Sequence, residues 1–157
     1  MAAGESQFQS LRDDAGRLIP LDQPDCFVYE TTVQPEEIDG QGHVNNAVYV
    51  QWMDRAAFAH SCAVGYDWEA YQKLGASFVV RRHEVEYLAP AFLGQKIVDA
   101  TWPGEMDRFT AMRQHQIIRL NDGVTLARAV TTWIYLDLKT GRPRRIPAEM
   151  IAAFRPR

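Results

Sequence analysis

The sequence has little cysteine, no long apolar run and no strong charge of either sign, and each shortage closes off a class of protein. Cysteine occurs twice in 157 residues, at Cys26 and Cys62. Neither forms a Cys-x-x-Cys pair or stands near a histidine at metal-ligand spacing, so no disulfide framework is expected. Both thiols are expected to be small, buried or half-buried packing residues in a reducing compartment. No stretch approaches the roughly 18–20 apolar residues that span a bilayer. The first residues, MAAGESQFQSLRDDAGR, lack the apolar segment of a secretory signal. A cytoplasmic location with no membrane partner is expected. The formal net charge of −3 does not favour a nucleic-acid partner, although a weakly acidic chain can hold an anion at a local basic patch. There is no Gly-x-x-x-x-Gly-Lys-Ser/Thr loop for nucleotide phosphates and no metal constellation, so neither cofactor nor metal is expected.

What is present is an ordinary globular balance, 46% hydrophobic and 24% charged, with a clear order of patterns. Residues 1–24 are polar and aperiodic and read as a flexible arm, loose or lying on a neighbour. Residues 25–157 read as a single domain, a size that can bury a core without staples. Phe27 to Val33 is strand-like. PEEIDGQGHVNN is dense in turn formers. Tyr49, Trp52, Met53, Ala56, Ala57 and His60 then recur at helical spacing, and Val44, Val48 and Phe58 predict a helix buried around much of its circumference. Gly65 stops it, and Asp67 caps a short second helix through Tyr71. Ser77 to Leu88 and Lys96 to Trp102 predict strands, with a break at Pro103-Gly104. Phe109 to Leu120 and Val124 to Leu138 follow, joined by the turn Asn121-Asp122-Gly123. A short helix is predicted from Pro147 to Phe154. One long helix with four strands in series predicts an α+β domain whose strands form an antiparallel meander. Its uncovered face and edges favour oligomerisation.

The segment Glu37 to Tyr49, EIDGQGHVNNAVY, holds the candidate chemistry. Asp39 precedes Gly40 and Gly42, which let the backbone turn tightly and approach a ligand. The helix begins at Asn45 or Asn46, and its first amides have no intrahelical acceptor and carry the positive end of the dipole. A carbonyl oxygen placed there is polarised as charge develops on it. A carboxylate just upstream can attack the carbonyl carbon or activate water. The residues alone leave a second reading open: aspartate and asparagine before a helix are commonly cap or Asx-turn residues. His43 is open between general base and bystander.

The run Asp39-Gly-Gln-Gly42-His43-Val44-Asn45-Asn46, with Tyr49 three residues on, resembles the signature of hotdog-fold thioesterases. It is similar to the acyl-CoA and 4-hydroxybenzoyl-CoA thioesterase branch, and more distantly to acyl-carrier-protein (ACP) thioesterases. Trp52-Met53-Asp54 and Glu84-Val85-Glu86-Tyr87-Leu88-Ala89-Pro90 resemble further parts of that branch, and the likeness runs from Phe27 to Phe154. The resemblance implies a hotdog fold, a curved antiparallel sheet wrapped around a long central helix, with a homodimer or homotetramer and a site at the subunit interface. It implies an acyl-CoA substrate, Asp39 as nucleophile or general base, and the amide at Asn46 as oxyanion donor. Gly42, His43, Val44, Asn45, Tyr49, Trp52 and Phe78 are then expected around the substrate, and Arg81 and Arg108 at its nucleotide end. The chain departs from the 4-hydroxybenzoyl-CoA enzyme at Gly104-Glu105-Met106-Asp107-Arg108, where that enzyme carries a basic run. An acyl-ACP thioesterase and a non-catalytic acyl-CoA-binding module remain alternative expectations. A hotdog dehydratase, with His43 and Asp39 as an acid–base pair, is a third.

Overall fold

The computed structural model describes residues 10–155. Strand β1 (Phe27–Thr32) leads through one 3-10 turn, Pro35–Glu37, to the long helix α1 (Asn46–Ala63) and the short helix α2 (Trp68–Leu74). Four strands follow, β2 (Ala76–Tyr87), β3 (Lys96–Met106), β4 (Thr110–Arg119) and β5 (Val124–Asp137), and then helix α3 (Ala148–Phe154). All strand pairs are antiparallel in one sheet of order β1-β3-β4-β5-β2.

That order corrects the expected four-strand meander. Only β3, β4 and β5 are sequential neighbours; β2 lies on the far edge against β5. The link from β2 to β3 carries the chain across the sheet, passing the start of α1, where Val44 N–H donates to Ala91 O at 2.9 Å. Pro103-Gly104 is also no break, because β3 runs on to Met106 with a register shift between Pro103 and Met106. The physical reason lies in the neighbour strand. β1 begins only at Phe27, opposite Thr101, so the last stretch of β3 is an edge, where a missing N–H is tolerated. In the β4–β5 turn only Gly123 has positive φ, at 72°.

Helix α1 buries one stripe, Val48, Tyr49, Trp52, Met53, Ala56, Ala57 and Ser61, and not most of its circumference. Gln51, Asp54 and Arg55 are exposed on its other side. Its N-terminal half packs with Val33, Ile97, Ile117 and Leu126. A second cluster built from Tyr71, Ala111, Tyr135, Met150 and Phe154 closes the opposite end of the domain. Cys26 is half-buried, and burial pushes its thiol up to about 11; Cys62 is exposed rather than buried or half-buried as expected, and both are free. Among the described residues no helix is long and apolar enough to cross a membrane.

The expected N-terminal arm falls partly on residues 1–9, outside the described residues. Of the rest, Ile19 is buried, and Gln116 accepts from Asp22 N–H at 2.8 Å and donates to Pro20 O at 3.2 Å. Arg128 pairs with Asp22 at 2.6 Å.

The helix-facing side of the sheet is not wholly apolar. His115 donates from Nδ1 to Asp99 at 2.9 Å with both side chains buried, and its Nε2 has no partner. Beside it, Arg113 Nη1 donates to His60 Nδ1 at 3.1 Å and to Thr101 Oγ1 at 3.2 Å. His60 stacks on Phe27 with ring centroids 4.8 Å apart. Burial first, and the Arg113 charge second, push the His60 imidazole down to about 3. An unfolded histidine titrates near ~6.5, so between those values the unfolded chain binds the extra proton and stability falls as pH drops. His60→Gln gives Arg113 an amide oxygen as acceptor in place of Nδ1 and removes the titration. Unfolding by urea at stepped pH should show wild-type stability falling more steeply than the variant's below pH ~6.5, by up to about 1.4 kcal/mol per unit. Parallel curves would contradict this origin.

Candidate active site

The Asp39 loop is closed at both ends by its own backbone. Ile38 and Val44 form an antiparallel bridge, Asp39 N–H donates to His43 O at 2.9 Å, and Gly42 N–H donates to Asp39 O at 3.0 Å. The turn needs Gly42, whose φ is +83°, in the left-handed region. Gly40 has no such φ, and a Cβ at either glycine would meet open space. Within this turn Asp39 Oδ1 accepts from Gln41 N–H at 2.8 Å, the Asx-turn role that short polar residues take before helices. That bond orients the carboxylate. Among the described residues Oδ2 has no hydrogen-bond donor; its nearest cationic candidate is His43 Nδ1 at 3.9 Å. The side chain is 26% exposed.

Asn45 is the N-cap of α1, its Oδ1 accepting from Ala47 N–H at 2.9 Å. Asn46, the first helical residue, has an N–H with no acceptor among the described residues, and its C=O accepts from Tyr87 Oη at 2.8 Å. A partly exposed carboxylate and a helix N-terminal amide without an acceptor among the described residues therefore flank one short turn.

Glu37 holds this turn to the helix. It is buried, with Oε2 accepting from Gln34 N–H at 2.9 Å and Oε1 from the Trp52 indole N–H at 3.1 Å, and Arg55 is 3.8 Å away. Its backbone C=O accepts from Asn45 N–H at 2.9 Å. Sequence reasoning passed over Glu37 in this role, although Gln34-x-x-Glu37 has capping-box spacing.

The remaining expected site residues scatter. Val44, Tyr49 and Trp52 are sealed in the core, Tyr49 edge-on to the Tyr87 ring at 5.2 Å. His43 is partly buried beside Asp39. Phe78 lines an apolar cavity of about 340 Å³ between the C-terminal half of α1, α2 and β2. Arg81, at the β2 bulge, and Arg108, in the β3–β4 turn over the Phe109 ring, are exposed at that same end of the sheet. One chain does not bring them to Asp39. Among the described residues no cluster of ligating side chains suited to a metal is found.

Residues 33–154 match the profile of the Thioesterase-like superfamily. The chain belongs to that superfamily. It is 29% identical over 129 residues to the acyl-CoA thioester hydrolase YbgC of Escherichia coli O157:H7, covering 82% of this chain and 96% of that one. It is 25% identical to the chloroplastic acyl-ACP thioesterase ATL2 of Arabidopsis thaliana, covering 80% of this chain, and 27% identical to the L-carnitine dehydrogenase/betainyl-CoA thioesterase of Rhizobium meliloti, covering 81%. It spans 66% and 25% of those two proteins' lengths. The 1,4-dihydroxy-2-naphthoyl-CoA thioesterase Slr0204 of Synechocystis superposes with a TM-score of 0.75 at 19% identity, over 82% of this chain and 94% of that one. The fold is the expected hotdog.

Trp52→Phe removes the indole donor and leaves Glu37 Oε1 with only the long Arg55 approach. A bond to a charged group contributes about 1.5–3 kcal/mol, so unfolding free energy from urea titration should fall by about that much. A loss below about 0.5 kcal/mol would show that the Glu37 contact carries little of the loop's attachment.

Proposed function

We propose that the protein hydrolyses an acyl-CoA thioester to the free acid and the CoA thiol. The observation that carries this reading is the Asp39 turn: one carboxylate oxygen fixed by Gln41 N–H, the other free, beside the unspent Asn46 amide. The thioester carbonyl oxygen is received at the Asn46 N–H. Asp39 either removes a proton from water, whose oxygen attacks the carbonyl carbon, or attacks that carbon itself to give an anhydride that water opens. In both routes the C–S bond breaks as the tetrahedral carbon collapses, and the thiolate takes up a proton. His43, within 3.9 Å of Asp39 Oδ2, is placed to tune or relay that proton. The names of the E. coli and Synechocystis relatives support a CoA ester. The Arabidopsis relative supports a carrier-protein thioester as the second reading.

The substrate is enclosed, on this reading, by a second copy of the chain in a homodimer or homotetramer. The Asp39 turn is shallow in one chain, β2 has a free edge among the described residues, and Val79, Leu88, Phe92 and Leu93 on and after it are exposed. Gly42 and Asn45 shape the turn that receives the thioester, and Val44, Tyr49 and Trp52 support it from beneath. Arg81 and Arg108 reach the CoA phosphates from the second copy. A cytoplasmic setting fits the two free thiols.

Free-thiol release from short, long and aromatic acyl-CoAs tests the reading, with Asp39→Asn alongside. At least one ester should turn over, and the variant should lose about 10²–10⁴-fold in kcat with an unchanged circular dichroism spectrum. CoA esters that bind without releasing thiol would overturn the hydrolase assignment.

A further inference from the structure

The apolar cavity contains a buried cation with donors to spare. Its wall comes from Ala57, Phe58, Tyr71, Phe78 and Trp133, and Arg113 enters it from β4. Arg113 is 7% exposed. Its Nη1 is spent on His60 and Thr101, both neutral acceptors, and Nε and Nη2 have no acceptor among the described residues. No carboxylate lies at ion-pair distance from it among those residues; the acid whose field reaches it, Asp99, is engaged by His115 at 2.9 Å. The Phe154 ring lies 5.7 Å from the guanidinium carbon and covers one side. Removing a charge from water costs several kcal/mol unless a partner offsets it, and guanidinium donors suit a carboxylate's two oxygens. A second donor in the same wall, the indole N–H of Trp133, is buried without an acceptor. Trp133 lies on the face of β5 that carries Thr131, the register partner of Arg113, so the two side chains are diagonal neighbours.

The other polar groups point the same way. Ser61 Oγ donates to Tyr66 O at 2.6 Å and accepts from Tyr71 Oη at 2.7 Å, so neither hydroxyl has a donor left for an anion. Asp54 is exposed at the rim, six residues and about 9 Å along α1 from His60. The rim therefore repels an anion that the inner wall attracts, which orients a ligand with its charge inward. A volume of about 340 Å³ is at the small end of ligand pockets, ~300–1,000 Å³.

We propose that this cavity is a binding site for an apolar molecule ending in a carboxylate, a medium-chain or aromatic acid, whose anion is held by Arg113. It does not depend on hydrolysis at Asp39, because binding is read directly. Calorimetric titration of the full chain with decanoate, decanol and decylamine tests it. Decanoate should bind roughly 10–100-fold more tightly than decanol, the value of a charge-assisted bond, although the alcohol leaves water more readily. Decylamine should bind most weakly. In Arg113→Met that preference should vanish while decanol affinity stays within about threefold. Should that variant fail to fold, the wild-type series still decides. Decanedioyl-CoA that displaces decanoate would assign the anion to the far end of an acyl group; decanoate undisturbed by it would assign a free acid. Equal affinity for acid and alcohol, no binding of either, or an undiminished preference in Arg113→Met would overturn the proposal.

Discussion

The buried carboxylate of Glu37 is the point on which the Asp39 turn depends. A charge taken out of water is tolerated only when donors replace the water, and here they come from two directions. Gln34 N–H closes the 3-10 turn from below, and the Trp52 indole reaches down from the second turn of α1. The same residue's main-chain oxygen takes Asn45 N–H, one of the amides that the helix start cannot satisfy by itself. Strand exit, helix cap and helix body are thus tied through one residue, by its side chain and its main-chain oxygen. The turn between them, residues 38–44, has little freedom left: its ends form a bridge and its interior is crossed by two backbone bonds. Asp39 is held just upstream of the first amide of α1, in a turn of which Val44 alone is buried in the core.

Helix α1 then separates two different environments. Its N-terminal half covers an aliphatic layer of Val33, Ile97, Ile117 and Leu126, and its capped end presents polar groups to solvent. Its C-terminal half faces the cavity and the row of Arg113, Asp99 and His115 on the sheet, to which His60 reaches from the helix itself. Eleven residues of helix separate Asn46 from Ala57, about 16 Å, so the carboxylate turn and the cavity are not one pocket within a chain. The sheet order reinforces the division. Placing β2 on the outer edge beside β5 makes it a side wall of the cavity and, among the described residues, leaves its outer edge unpaired.

Local features were legible in the sequence where the controlling forces are local. The start of α1 followed from Asn45 as a cap, and the β4–β5 hairpin from Asn121-Asp122-Gly123. Asp39 was read both as an Asx-turn residue and as a reactive carboxylate, and the turn shows how one oxygen can serve each role. Pairing was not legible, because which strand β2 meets is set by the path of residues 88–95 across the start of α1 and not by its own pattern. Pro103 misled for the same reason: its tolerance comes from β1 beginning only opposite Thr101. Val44, Tyr49 and Trp52 share helical spacing with pocket-lining residues, but only packing shows that they face the core. Glu37, Asp99 and Arg113 look like surface charges until the fold buries them among donors and acceptors far apart in the chain.

Amide hydrogen exchange by NMR on wild type and Glu37→Gln addresses the anchoring of the turn most directly. In the wild type the N–H groups of Asp39, Gly42 and Asn45 should be protected, since each has a backbone acceptor. In Glu37→Gln that protection should fall at all three, while Ile97, Ile117 and Leu126 in the sheet exchange as before. Unchanged protection in the variant, or turn amides already exchanging freely in the wild type, would contradict the claim that Glu37 holds the Asp39 turn against α1.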